Sequence, residues 1–242
     1  MKKIRILYNY CIYRLKAVSE HGVHSPFVFD LVTNVIYNRA DYYCFKNIET
    51  IREKLFHSQK VVSRIPKQHT NAAKYDQLLF RLVNYFQPSQ ILELGTSIGI
   101  TSIYMASANS KTVLLTIEED SEIAEVAKNN FKNLKLKNIE QLVENFDTVV
   151  PKILTKNITF NFIHFDENLS AQATLDYFNN CLSKADSTSV FVFDSIYRTS
   201  EMKEAWTKIK NTDQVTVTID LFYLGIVFFR KEQVKQHFII KF

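Results

Sequence analysis

Glycine is scarce in this chain, with four among 242 residues. Each must then stand where the backbone bends sharply or something approaches it closely, and two of the four, Gly95 and Gly99, share one short turn. Cysteine is rarer still. Cys11, Cys44 and Cys181 are odd in number, far apart and without metal-ligand spacing, which argues against a disulfide framework or a zinc site and for a reducing cytoplasm. No apolar run is long enough to span a bilayer. The basic start is interrupted by Arg14 and Lys16 and no small-residue cleavage site follows, so a secretory leader is not expected. Charge of one sign is also lacking: a formal net charge of +5, with acids and bases mixed through most of the chain, does not imply a nucleic-acid partner. The length suits one large α/β domain with an appendage and a sizeable core.

What is present centres on Gln90 to Met105. Ile91, Leu92 and Leu94 form a short apolar strand, and Ile100, Ile103 and Tyr104 restart apolar spacing at helical intervals, so the segment reads strand, glycine turn, helix. Such a turn presents N–H groups at the carboxyl edge of a sheet, where nucleotide-like ligands bind in open α/β folds. Glu93 is the odd member. A carboxylate suits a cationic amine better than a phosphate, so the pocket is expected to take a nucleoside carrying positive charge. A tight turn with no ligand is the simpler alternative, because glycine turns alone are weak signals.

A second strand, Lys111 to Ile117, ends in Glu118, Glu119 and Asp120, about twenty residues after the turn, where a ribose-binding acid is expected. Glu118 takes that role; Glu119, Asp120 and Ser121 also suit a helix start. Elements then alternate: helix Ser121 to Leu134, strand Ile139 to Val143, strand Thr159 to Phe165, helix Ser170 to Leu182, strand Ser189 to Phe193, helix Ser200 to Lys210. This predicts a mostly parallel sheet with helices on both faces. Asp166 ends the fourth strand, placed to meet a ligand amine or a metal, unless it caps the next helix, which Ser170 can do itself. Asp194 ends the fifth strand, and Tyr197 follows. Trp206 is expected in the core. Val215, Val217 and Ile219 alternate with polar residues as a half-exposed strand, Gly225 turns the chain into Ile226 to Phe229, and Gln236 to Phe242 adds an edge or binds a neighbour.

The ordered set Leu-Glu-Leu-Gly-Thr-Ser-Ile-Gly, Thr-Ile-Glu-Glu-Asp and Phe-Asp-Glu-Asn resembles a class I S-adenosylmethionine-dependent methyltransferase, nearest the small-molecule O-methyltransferase-like branch, over roughly Tyr75 to Phe229. The resemblance implies a Rossmann-like α/β fold with a seven-stranded, mostly parallel sheet, an antiparallel last strand and an N-terminal helical extension. It divides the chain into an extension or lid, 1–72, and a cofactor-binding domain, 73–242. It implies S-adenosylmethionine held by Glu93, Gly95, Thr96, Ser97, Gly99, Thr101, Glu118 and Asp166, with Asn145 and Phe146 at the adenine, and a small-molecule acceptor. Asp166, Asp194 and Tyr197 are the nearest candidates for a base. Two carboxylates at adjacent strand ends could hold a divalent metal, but Ser195 stands where metal-dependent relatives carry Asn or Asp. Leu169 and Tyr197 stand where related bacterial sequences carry histidine, so no metal is assigned.

The first 72 residues carry the remaining signals. Lys2 to Val18 reads as a basic amphipathic helix with Ile4, Leu7, Cys11, Leu15 and Val18 on one face. Covering the main domain or a second subunit is the simpler use of such a face; lying on an anionic membrane is the other. His21 and His24 stand in a turn before a helix opened by Ser25 and Pro26. Asp41 to Phe56 reads as a helix, and Lys60 to Asn71 as a candidate lid. Two competing functions follow. One is a non-catalytic adenosyl-ligand binding or membrane-associated partner protein; the other, an NAD-dependent oxidoreductase, is disfavoured because the turn lacks Gly-x-Gly-x-x-Gly.

Overall fold

The structure, a computed structural model, describes residues 2–57, 73–156, 158–166 and 168–242. The candidate lid, Lys60 to Asn71, lies outside them. The chain divides into two compact units, Met1–Tyr37 with Asp147–Phe242, and Asn38–Phe146.

The second unit holds helices α3 (Phe45–His57), α4 (Ala73–Phe86), α5 (Ile100–Ala108) and α6 (Ser121–Asn133) around strands β1 (Gln90–Leu94), β2 (Val113–Glu118) and β3 (Ile139–Val143). All three strands pair in parallel, β2 in the middle, with Leu92 opposite Leu115 and Leu115 opposite Glu140. Ile91, Leu92 and Leu94 have no exposed surface, as their unbroken apolar run requires. Fully burying a side chain of this size stabilises by about 1.5–3 kcal/mol. Phe45 and Ile48 of α3, Phe80 of α4, Ile103 and Tyr104 of α5 and Phe131 of α6 form one core cluster. A polar chain runs beside it: Thr101 Oγ1 donates to Asp76 (2.8 Å), Arg52 donates to Asp76 (2.6 Å) and Glu49, and Tyr104 Oη donates to Glu49 (2.6 Å). Arg52 and Asp76 are buried, so this pair needs its several hydrogen bonds to offset desolvation.

The first unit opens with α1 (Lys2–Lys16) and α2 (Pro26–Leu31), the latter continuing as a π-helical turn over Val32–Ile36. Ser25 caps α2, accepting from Val28 N–H with Pro26 at the first position, as its sequence predicts. The unit continues with α7 (Phe146–Thr155), whose first residue belongs to the other unit, then β4 (Phe162–Phe165), α8 (Ala171–Leu182), β5 (Val190–Asp194), α9 (Ser200–Asn211), β6 (Val217–Asp220), β7 (Leu224–Phe228) and β8 (Gln236–Ile239). β4 and β5 are parallel, β7 is antiparallel to both β5 and β6, and β8 runs parallel to β6. The mostly parallel α/β arrangement with an antiparallel strand near the end matches expectation, but the described residues form eight strands rather than seven: Gln236 to Phe242 adds an edge.

Three local readings are corrected. β6 is buried along its whole length, because Thr218 bonds His237 of β8 (2.8 Å) and Asp220 accepts from Tyr197 and from Phe222 N–H. Gly225 lies inside β7, not in a turn; a Cβ there would stand 2.7 Å from Trp206, so the glycine admits the indole. The bend falls at Phe222, φ 70°. Finally, α1 packs through Tyr13 and Ala17 against Phe222, with Tyr13 Oη donating to Ile240 O. Ile4, Leu7, Cys11 and Leu15, the face expected to cover a core, are exposed.

Gly225→Ala should lower stability by about 1–3 kcal/mol through overpacking, read as a shift of the urea midpoint at unchanged slope. His237 has its pKa lowered from 6.5 by burial and by Lys210 and Lys235. The unfolded chain therefore binds the proton more readily, and stability should fall as pH drops below about 6.5. His237→Gln should flatten that slope in melts taken across pH 5 to 7.

Candidate active site

In the second unit the glycine turn is built from both ends. Gly95 (φ 110°), Ser97 (φ 49°) and Gly99 (φ 80°) all take left-handed backbone, which at Ser97 costs energy that neighbours must repay. Gly95 and Thr96 donate their N–H groups to Ile117 O, at 3.1 and 3.0 Å. A Cβ on Gly99 would stand 2.6 Å from the Phe131 ring, so this glycine lets the turn sit against α6 as well as opening α5. The first turn of α5 directs its N–H groups towards the turn, as helix starts do.

Glu118 is the tie across this edge. One carboxylate oxygen accepts from Ser97 N–H at 2.8 Å and the other from Glu119 and Asp120 N–H at 3.0 and 3.1 Å. The acid after β2 thus fixes the strained residue of the turn, which its reading as a ribose ligand alone did not foresee. Glu119 does similar work one strand over. Its Oε1 accepts from Asn145 Nδ2 and Phe146 N–H, both at 2.9 Å, bringing both expected adenine contacts to the rim that carries Glu118. Asp120, not Glu119, caps α6, accepting from Glu122 and Ile123 N–H.

Two expected cofactor contacts are engaged with protein. Glu93 has no exposed surface. Its Oε2 accepts from Thr116 (2.7 Å) and Ser102 hydroxyls, and Thr116 also pairs with Thr96 (2.6 Å). Glu93 braces the turn from behind, joining β1, β2 and α5; Thr96, 2 % exposed, belongs to that bracing. Thr101 directs its hydroxyl to Asp76. Thr116, Ser102 and Asp76 were missed because hydroxyls and lone acids inside apolar elements carry no pattern until a partner is known. A recess of about 690 Å³ lined by Tyr43, Cys44, Asn109 and Asn138 lies at the amino ends of β2 and β3, away from this rim.

In the first unit Asp166 and Asp194 follow the paired residues Phe165 and Phe193 at the carboxyl ends of β4 and β5. Asp166 accepts from Asn168 N–H at 2.9 Å, while Ser170 caps α8, so the capping alternative for Asp166 does not hold. His164, wholly buried on β4, brings Nε2 to 3.2 Å from Asp194 Oδ1. This neighbour was missed, since a histidine within an apolar strand looks like core. The Tyr197 hydroxyl donates to Asp220 and its ring stacks on Phe222; burial first, then the Asp220 charge, raises its pKa far above the usual range. Among the described residues no three His, Cys, Asp or Glu side chains gather as a metal would need.

Residues 92–196 match the family model described as a methyltransferase domain. Solved structures of similar fold include the O-methyltransferase TomG of Streptomyces achromogenes, involved in tomaymycin synthesis and bound to SAM (19 % identity, 79 % of this chain and 91 % of that one, TM-score 0.61). A Bacillus cereus O-methyltransferase with SAH (17 %, 79 % and 93 %, 0.62) and the SAH-bound Podospora anserina methyltransferase PaMTH1 (10 %, 86 % and 98 %, 0.65) are others. No curated protein matches. At these identities the likeness shows the fold. The fold is thus the Rossmann-like α/β fold of these methyltransferases, and residues 92–196 within it match the methyltransferase-domain model.

Glu118→Ala should weaken binding of S-adenosylhomocysteine by about 1–3 kcal/mol in calorimetry, through lost charge-assisted hydrogen bonds. Unchanged affinity would remove Glu118 from the site.

Proposed function

We propose that this chain transfers a methyl group from S-adenosylmethionine to an oxygen of a small molecule. The observation that carries the reading is the bond from Ser97 N–H to Glu118, which makes the glycine turn and the acid after β2 one rim. Glu118 would take the ribose hydroxyls, Asn145 and Phe146 the adenine, and the backbone of Gly95, Ser97 and Gly99 the amino-acid portion. By the resemblance, Asp166 would take the donor's amine. The O-methyltransferases of similar fold favour oxygen as the acceptor.

The bound donor supplies an activated methyl on a sulfonium. The carbon–sulfur bond breaks as the carbon–oxygen bond forms, so the chain's task is alignment and removal of the acceptor's proton. Asp194 is the base in this reading: it takes the hydroxyl proton, with His164 beside its other edge. Residues 1–72 form the extension that shapes acceptor choice, and 73–242 the cofactor-binding domain. Three free cysteines suit a reducing cytoplasm.

Calorimetry with S-adenosylmethionine and S-adenosylhomocysteine, followed by a panel of phenols, alcohols and amines with a labelled donor, tests the reading. Both ligands should bind and an oxygen acceptor should turn over. Asp194→Asn should cut kcat by about 10²- to 10⁴-fold while donor affinity holds. Binding with no turnover across the panel favours a non-catalytic adenosyl-binding protein, and binding of NADH but not the sulfonium overturns the proposal.

A further inference from the structure

Helix α1 is 15 residues long and contains no acid. Five of the chain's 30 Lys and Arg residues, Lys2, Lys3, Arg5, Arg14 and Lys16, lie in it, and the other 25 are matched by 25 Asp and Glu. The whole formal excess of +5 therefore resides in this one helix. The same helix turns apolar side chains outward: Ile4 is 73 % exposed, Leu7 62 %, Tyr8 63 % and Leu15 86 %, with Cys11 exposed between them. Spacings of three and four residues put these on a single stripe.

The opposite face is already occupied. Asn9, Tyr13 and Ala17 are buried; Tyr13 Oη donates to Ile240 O at 2.5 Å and Lys203 Nζ to Asn9 at 3.1 Å. The helix cannot roll its apolar stripe inward without giving up these bonds. At 100° per residue Arg14 falls on one side of the stripe and Arg5 and Lys16 on the other. Arg5 bonds Ser200 Oγ at 2.9 Å, while Arg14 and Lys16 are exposed. An apolar stripe between cationic borders, fixed from behind, is the arrangement of a helix lying in the plane of a membrane surface. Leucines enter the acyl boundary, tyrosine sits at headgroup level and cations meet anionic headgroups.

We infer that the outward face of α1 docks this protein on an anionic lipid bilayer. A second copy is the less fitting occupant, because two such helices face to face would bring two charge excesses of the same sign together. The inference does not depend on the methyl donor or acceptor.

Flotation of the full chain with phosphatidylcholine vesicles, with and without about 30 % phosphatidylglycerol, tests it. Partitioning should be at least about tenfold stronger on the anionic vesicles and weaken in high salt. Leu7→Asp with Leu15→Asp should abolish it at an unchanged near-ultraviolet spectrum. Arg14→Gln and Lys16→Gln should each weaken it about fivefold, and they carry the test if the leucine variant misfolds. Failure to float with anionic vesicles overturns the inference, as does binding that survives all four changes. So does a dimer in sedimentation velocity that the leucine changes dissociate while vesicles remain unbound, which assigns the face to a second copy.

Discussion

Ser97 holds a left-handed backbone without being glycine, and the carboxylate of Glu118 makes this tenable. A non-glycine residue at positive φ is strained; a charge-assisted bond to its N–H, worth about 1.5–3 kcal/mol, is of the size needed to hold it. The tie also fixes where the turn sits relative to the end of β2, and hence where the first turn of α5 points. Behind it, Glu93 gathers the hydroxyls of Thr116 and Ser102, so β1, β2 and α5 meet at one carboxylate. Two acids hold the rim, one in front and one inside.

Division of labour among acids recurs in the chain. Glu118 and Glu119 order backbone at two strand ends, Asp76 anchors Arg52 and Thr101, and Asp220 holds Tyr197. Each of these carboxylates is engaged with protein, as is Asp194, which faces the buried His164 imidazole.

Much of this was legible from local pattern. The β3 boundaries Ile139–Val143 and the caps by Ser25, Asp120 and Ser170 follow from residues adjacent in sequence, where propensity and hydrogen bonding act within a turn or two. The protein partners of Glu93 and Tyr197, hydroxyls for the one and Asp220 for the other, were not legible because burial depends on elements far along the chain. A carboxylate at a strand end reads the same whether it faces a ligand or a pair of hydroxyls. Gly225 was misread for a similar reason: the need for glycine comes from Trp206, not from the backbone.

Helix α1 shows the division most sharply. Its sequence determined that a helix forms, that it is basic, and that Ile4, Leu7, Cys11 and Leu15 share one face. Which side packs was decided by Ile240 and Lys203, whose bonds to Tyr13 and Asn9 outweigh the larger apolar face. Sequence likewise set the order of strands and helices, the glycine turn and the acids after it, since these are short-range matters of spacing and backbone freedom. Tertiary structure alone decided which carboxylates are buried and which remain at the rim, because desolvation and hydrogen-bond partners exist only once distant segments meet.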